Sequence, residues 1–207
     1  MPSTHSTMLL NFAALRSDRP KDDPPDTIYF LTTAIPNDDD WSVLGPFENR
    51  EKTLPSLFDK VVSINPSALP ELEELVALTK GDFAHYNFRT GDGHEATICL
   101  EKQQNADVKA TLPGPSWIMI VVGPMAVEPG GERPFDRADI STIGGAFTTR
   151  EGAINAGNRQ LEGLTQGRTG VKCGQVEVVY GGLMMFAAQG NTGWTVQVYR
   201  ERGEIHM

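Results

Sequence analysis

The sequence predicts an α+β protein made of two similar units in a pseudo-twofold tandem repeat, each an antiparallel sheet of about four strands with a helix on one face. Three observations predict it. The stretch GPFENRE at 45–51 returns as GAFTTRE at 145–151. Laid over each other without a gap, residues 45–64 match 145–164 and 81–102 match 181–202. Seven of these 42 pairs are identical: Gly45/Gly145, Phe47/Phe147, Arg50/Arg150, Glu51/Glu151, Gly81/Gly181, Gly93/Gly193 and Glu101/Glu201. Average usage gives roughly two or three by accident. The alternation agrees as well, with His94, Ala96 and Ile98 falling on Trp194, Val196 and Val198, and Gly93 and Gly193 at the same turn position.

The elements follow in order. Residues 1–26 read as a flexible arm, because the prolines and alternating charge of RSDRPKDDPPD discourage helix and sheet alike. The first unit is 27–102. TIYFLTTA is aromatic and β-branched and reads as a strand; IPNDDD is a turn, and WSVLG is a second, antiparallel strand. In ENREKTLPSLFDKVVSI, Leu54, Leu57, Phe58 and Val61 recur at helical spacing and Asn49 is a candidate cap. Pro55 requires either that this helix start near Thr53 or that it kink. PSALPELEELVALTKG reads as a second helix, with Leu69, Leu72, Leu75 and Val76 on one side. FAHYNFR, the turn TGDG and HEATICLE form a hairpin whose second strand buries His94, Ala96, Ile98 and Leu100 and wets Glu95, Thr97, Cys99 and Glu101.

Residues 103–116, polar and then rich in proline and glycine, read as a linker. The second unit, 117–202, repeats the grammar. WIMIVVGPMAV is a strand, EPGGERPFDRAD a long loop, ISTIGGAF a strand and TTREGAINAGNRQLEGL a helix capped by Thr148 or Thr149. LMMFAAQ, GNTG and WTVQVYRE close it as a hairpin. Residues 203–207 are a tail. In this reading glycine turns the chain at the strand end, and Phe47 and Phe147 anchor the two corners in the core.

The second unit resembles small uncharacterised fungal proteins built as strand, strand, helix and hairpin. Gly145, Phe147, Thr149, Glu151, Ala153 and Ala156 carry the resemblance, with Tyr180, Gly181 and Gly193. It implies an architecture and no catalytic residue. The first unit departs from that pattern by the inserted ALPELEELVAL.

Composition narrows the function classes. With 39% apolar and 22% charged residues the chain is ordinary globular material, and no apolar run approaches the roughly 20 residues that span a bilayer. The formal charge of −9 offers no global basic field, which argues against nucleic acid or an anionic membrane as the main partner. Without a signal-like start, and with Cys99 and Cys173 fitting no disulfide framework, a cytoplasmic protein is expected.

No cofactor or metal site is legible. His5 and His206 sit near the ends. With Arg89 opposite His94, His85 falls opposite Ile98, too far along the ladder to share a metal with His94. Asn37–Asp40 lacks the distal ligands of a calcium loop, and VVGPMAVEPGGE lacks a phosphate-loop motif. Cys99 has acidic neighbours that raise a thiol's pKa, so it is a poor nucleophile. Leu183, Met184, Met185 and Phe186, apolar on both faces, suit a central strand or, alternatively, a lipid or small-molecule surface. No catalytic residue can be named.

The expectation is a non-catalytic binding or interaction protein that uses the groove between units or an exposed sheet edge. Its partner is a protein or a small apolar molecule, and a homodimer is compatible. The alternative is a small-molecule enzyme of isomerase or cyclase type, with a pocket between the units and Asp, Glu, His or Tyr as acid or base.

Overall fold

A computed structural model describes residues 23–35, 41–68, 84–126 and 141–201. The first unit contains β1 (Thr27–Ala34), β2 (Trp41–Phe47), α1 (Arg50–Ile64), β3 (His85–Arg89) and β4 (Glu95–Gln104). A single helical turn, α2 (Ala106–Lys109), connects it to the second. There follow β5 (Ser116–Ala126), β6 (Ser141–Phe147), α3 (Arg150–Thr165), β7 (Lys172–Val178), β8 (Gly182–Gln189) and β9 (Thr192–Glu201). Two antiparallel sheets result, in the orders β2-β1-β4-β3 and β6-β5-β9-β8-β7. Of the predicted helix in 66–81, residues 66–68 are non-helical and 69–81 lie outside the described residues, as do the acidic turn at 37–40 and the long loop in 127–140.

Burial organises these elements into four layers. In β1, Tyr29 and Leu31 face α1 and pack with Leu54, Leu57 and Val61. In the second sheet, Met119, Val121, Val196 and Val198 face α3 and its Ala153 and Leu161. The opposite faces of β1 and β5 meet each other: Ile28, Phe30 and Val43 share one cluster with Ile118, Ile120 and Ile143. The order is therefore helix, sheet, sheet, helix. Each sheet hides one face under a helix and part of the other under its sister, as strands apolar on both faces require.

The repeat holds strand by strand. Tyr29 opposes Phe47 as Trp117 opposes Phe147, and Thr32 opposes Val43 as Ile120 opposes Ile143, with a register break between these pairs in each unit, before Leu31 in the first and after its counterpart Met119 in the second. The last strands, however, align 98 residues apart and not 100: Leu31 pairs with Leu100, and its counterpart Met119 with Val198. The closing turn of the second unit is the two residues Gly190 and Asn191, where Gly190 takes φ +58, so Gly193 lies inside β9 while Gly93 lies in a turn at φ +93. In the first hairpin Arg89 opposes Glu95 and His85 opposes Cys99, one residue from the expected register, because the loop closes on the Thr90 to His94 backbone bond.

The recurring GxF follows from the register break in β2 and β6. Gly45 takes φ +114, and a Cβ there would stand 2.8 Å from the Tyr29 carbonyl oxygen and 3.0 Å from the Phe47 ring. Gly145 takes φ +148, with the Phe147 ring 3.4 Å away. Each ring lies beside its glycine and packs on the margin of its cluster, half-buried and not fully core as the sequence suggested. Gly45→Ala should therefore destabilise the protein by about 2 kcal/mol or more, from strain and a backbone clash together. Gly163→Ala, in α3 with nothing near its Cβ, should stabilise it by up to about 1 kcal/mol. Equal effects in urea titrations would remove this account of the motif.

Helix starts are capped as expected. The Asn49 carboxamide oxygen accepts from the Lys52 N–H at 3.0 Å, and the Thr149 hydroxyl accepts from Gly152 at 3.1 Å. The cap sets the start of α1 at Arg50, and Pro55 is carried inside the helix. Burial of Leu54, Leu57 and Val61 and the cap together outweigh the backbone bond that proline withholds.

The connection between units is tied down. Val108 of α2 is buried in the inter-sheet cluster. Asn105 caps this turn through the Val108 N–H at 3.0 Å and donates to the Ala146 carbonyl at 2.8 Å. The Lys109 ammonium donates to the carbonyls of Thr27 and Glu48.

Candidate functional site

The inter-sheet cluster draws on β1, β2, α2, β5 and β6, with Tyr199 of β9 at its margin; β7 and β8 contribute none of its described members. The five-stranded sheet therefore overhangs. Directly opposed residues share a face, so the pairs Gly174↔Phe186, Val176↔Met184 and Val178↔Gly182 define the overhanging surface. On it Phe186 is 39%, Val176 46% and Val178 38% exposed. The other face of β8, with Leu183, Met185 and Ala187, is buried under α3. Strand β8 is apolar on both faces, as the sequence indicated, and the second is covered only in part, with Gly182 buried, Met184 half-buried and Phe186 exposed.

The Phe186 ring lies across Gly174, where an added Cβ would come within 2.3 Å of it. The adjoining 3-10 turn, Val179–Gly181, exposes Val179 and Tyr180, and Tyr180 takes the left-handed φ of 60°. A bulky residue rarely adopts that conformation, and here the turn is held from α3: Arg150 Nε donates to the Gly181 carbonyl at 2.8 Å, and its guanidinium reaches Glu177 at 3.3 Å. Arg150 thereby fastens the start of α3 to the edge of its sheet, while its counterpart Arg50 reaches Asp23 at 3.9 Å.

Strand β7 is an outer strand, and every residue of it except Gly174 is exposed. It pairs with β8 over its whole length without a register break, whereas β2 and β6, also outer strands, carry one. A regular outer strand presents unpaired backbone donors and acceptors. On the four-stranded sheet the overhang is polar instead, formed by His85, Asn87 and Arg89 of β3 and by Thr97, whose hydroxyl bonds Asn87 at 2.9 Å.

The titratable groups that the sequence singled out do not converge. His85 is exposed on β3, and His94 sits in the turn 3.6 Å from Asp92. Among the described residues no cluster of three or more His, Cys, Asp or Glu side chains is arranged to hold a metal ion. Both cysteines are free thiols. Burial, and then Glu101, pushes the Cys99 thiol up, against a smaller opposing effect of Thr32, so the low reactivity read from the sequence follows with desolvation as the larger cause.

Sequence reasoning missed two features. One is β7, whose only signal is the alternation of Val176 and Val178 with Glu177. The other is Glu201, which faces the inter-sheet space opposite Ser116 and whose carboxyl burial pushes up to about 7. Its neighbour Tyr199 is raised by burial and by Glu201.

No family model, no curated protein and no solved structure matches the chain. Among the described residues no helix is long and apolar enough to cross a membrane.

Proposed function

We propose that the protein is a non-catalytic interaction protein that binds a protein partner by strand addition at β7. An extended segment of the partner pairs with the outer edge of this strand, and its apolar side chains land on Val176, Val178 and Phe186. The observation that carries this reading is a regular outer strand flanked by a partly uncovered apolar face. A second copy of the chain meets the requirements. A twofold antiparallel pairing centred on Gln175 sets Val176 against Gly174 and Val178 against Lys172, and it opposes no like charges, since Glu177 meets Cys173. The expected homodimer is tested by sedimentation equilibrium of the full chain beside Val176→Glu and Phe186→Ser. Both positions are exposed, so the variants should fold, and each should weaken dimerisation at least tenfold. A wild-type chain that stays monomeric at all concentrations, or variants that dimerise unchanged, would remove the reading.

An isomerase or cyclase acting between the units is the second reading, supported by Glu201, which burial holds near neutrality beside Tyr199. Against it stands the packed inter-sheet cluster, which fills the space such a pocket needs. The resemblance of the second unit to the small fungal proteins supports a shared architecture for that unit and no activity.

A further inference from the structure

The internal symmetry gives Glu201 a role that neither unit shows alone. Its counterpart in the first unit is Gln103, because Gln103 opposes Ile28 on β1 as Glu201 opposes Ser116 on β5, one step outside the matched pairs Tyr29↔Lys102 and Trp117↔Arg200. Gln103 ties the sheets together: its Nε2 donates to the Ile143 carbonyl of β6 at 3.2 Å. The counterpart of Ile143 is Val43 of β2, and Val43 belongs to the same cluster on which Tyr199, two residues from Glu201, packs. Applied to the Gln103 bond, the pseudo-twofold relation matches Glu201 to the Val43 carbonyl, with a carboxyl where the first unit has an amide donor. An ionised carboxylate is acceptor-only and is repelled there, while a neutral carboxyl has a proton to donate. Across the strand pair from it the Ser116 hydroxyl, 1% exposed, is buried without a hydrogen-bond partner among the described residues.

We infer that Glu201 is a protonation-dependent latch between the two sheets: neutral, it donates to the Val43 carbonyl as Gln103 does to Ile143, and on ionising it lets go of β2. The inward-facing groups of the packed elements include Glu101 of β4, opposite Phe30, whose carboxyl burial also pushes up and whose proton the Glu101→Gln variant separates from that of Glu201. Strand β9 adds Tyr199; β5 offers Ser116 and Ile118, β2 Trp41 and Val43, and β1 Ile28 and Phe30, none of which titrates. The turn beside β9 carries Tyr180, which is mostly exposed. On α2, Asp107 is exposed and the Lys109 ammonium is engaged by Thr27 and Glu48. With a folded pKa of about 7 against an ordinary glutamate value near ~4.3, the folded chain holds the proton more tightly. The contribution is therefore complete below ~4.3 and is lost as pH rises through about 7.

The test is a pH titration of the full chain. The carbonyl carbon of Val43, followed by isotope-labelled NMR, should shift with the titration of Glu201 in the wild type and stay constant in Glu201→Gln. The folding equilibrium of the wild type should weaken between pH 5 and pH 8 by roughly tenfold to a hundredfold more than that of Glu201→Gln, which keeps a donor at every pH. Glu101→Gln, which alters the other inward glutamate, should leave the Val43 titration in place. A Val43 carbonyl that does not move in the wild type overturns the latch even if the variants fail to fold, and so does an identical pH dependence in wild type and Glu201→Gln.

Discussion

Expressed apart, residues 1–104 and 106–207 are expected not to fold as independent monomers, and the intact chain is expected to unfold in one transition. The cause is the shared cluster. Ile28 and Phe30 from one half and Ile118 from the other are completely buried, and each is covered by the opposite sheet and not by its own helix. A lone half keeps its helix-facing core and exposes its inner face, which for β5 includes Ile118, Ile120 and Val122. Fully burying such a side chain contributes about 1.5 to 3 kcal/mol, so several lost together exceed the whole stability of about 5 to 15 kcal/mol typical of a domain. The cut also removes Val108 and the Asn105 and Lys109 bonds from their setting. Circular dichroism melts of the halves, alone and mixed, are the measurement: mixing should restore the cooperative transition. Two stable monomeric halves with the midpoint of the whole would show that the inner faces do not need each other.

The same packing explains which parts of the fold were legible. TIYFLTTA was read as a strand and is β1 to the residue, because a strand buried on both faces must be apolar and β-branched nearly throughout. The caps at Asn49 and Thr149 were legible because capping is local chemistry. The offset of the last strands was not. Side chains alternate with a period of two, so a shift of two residues keeps every apolar residue on its face, and offsets of 98 and 100 give the same pattern. The identity of Glu101 and Glu201 misled for that reason, since the counterpart of Glu101 is Tyr199. The aligned pairs show compensation that no identity count detects: Phe88 opposes Ala96 in one unit, Ala187 opposes Trp194 in the other, and the large ring simply changes strands.

The candidate site was half legible. The run from Leu183 to Phe186 announced a strand apolar on both faces, and β8 is that strand, but sequence records apolarity and not cover. Whether Phe186 is buried depends on how far the sister sheet reaches, which is set by the crossing of two sheets remote in sequence. Strand β7 escaped because an exposed outer strand buries little and so carries a weak pattern: Lys172, Gly174, Gln175 and Glu177 interrupt its valines. Glu201 escaped because its neighbour across the sheets is supplied by β2.

Phe30→Ala is expected to cost about 3 to 5 kcal/mol, the range for removing a fully buried ring, and to lower the thermal midpoint by roughly 6 to 20 °C for a chain of this size. Phe30 is completely buried and sits on the inter-sheet face of β1, beside Ile28 and against the second sheet. The loss belongs to both halves, because the cavity opens where they meet. Leu57→Ala, completely buried between α1 and the first sheet, supplies the comparison at about 2 to 5 kcal/mol. Phe47→Ala should cost less than either, since its ring is only half-buried. The decisive readout is local. With Trp41 and Trp117 replaced by Phe in both proteins, Trp194, 3% exposed in the core under α3, reports on the second unit by its fluorescence, and the Phe30 substitution lies in the first. If the sheets form one cooperative body, the Trp194 transition moves to lower denaturant together with the far-ultraviolet circular dichroism and by the same amount. A Trp194 transition that stays at its wild-type midpoint while the circular dichroism splits in two would mean that the inter-sheet cluster joins the halves without coupling them.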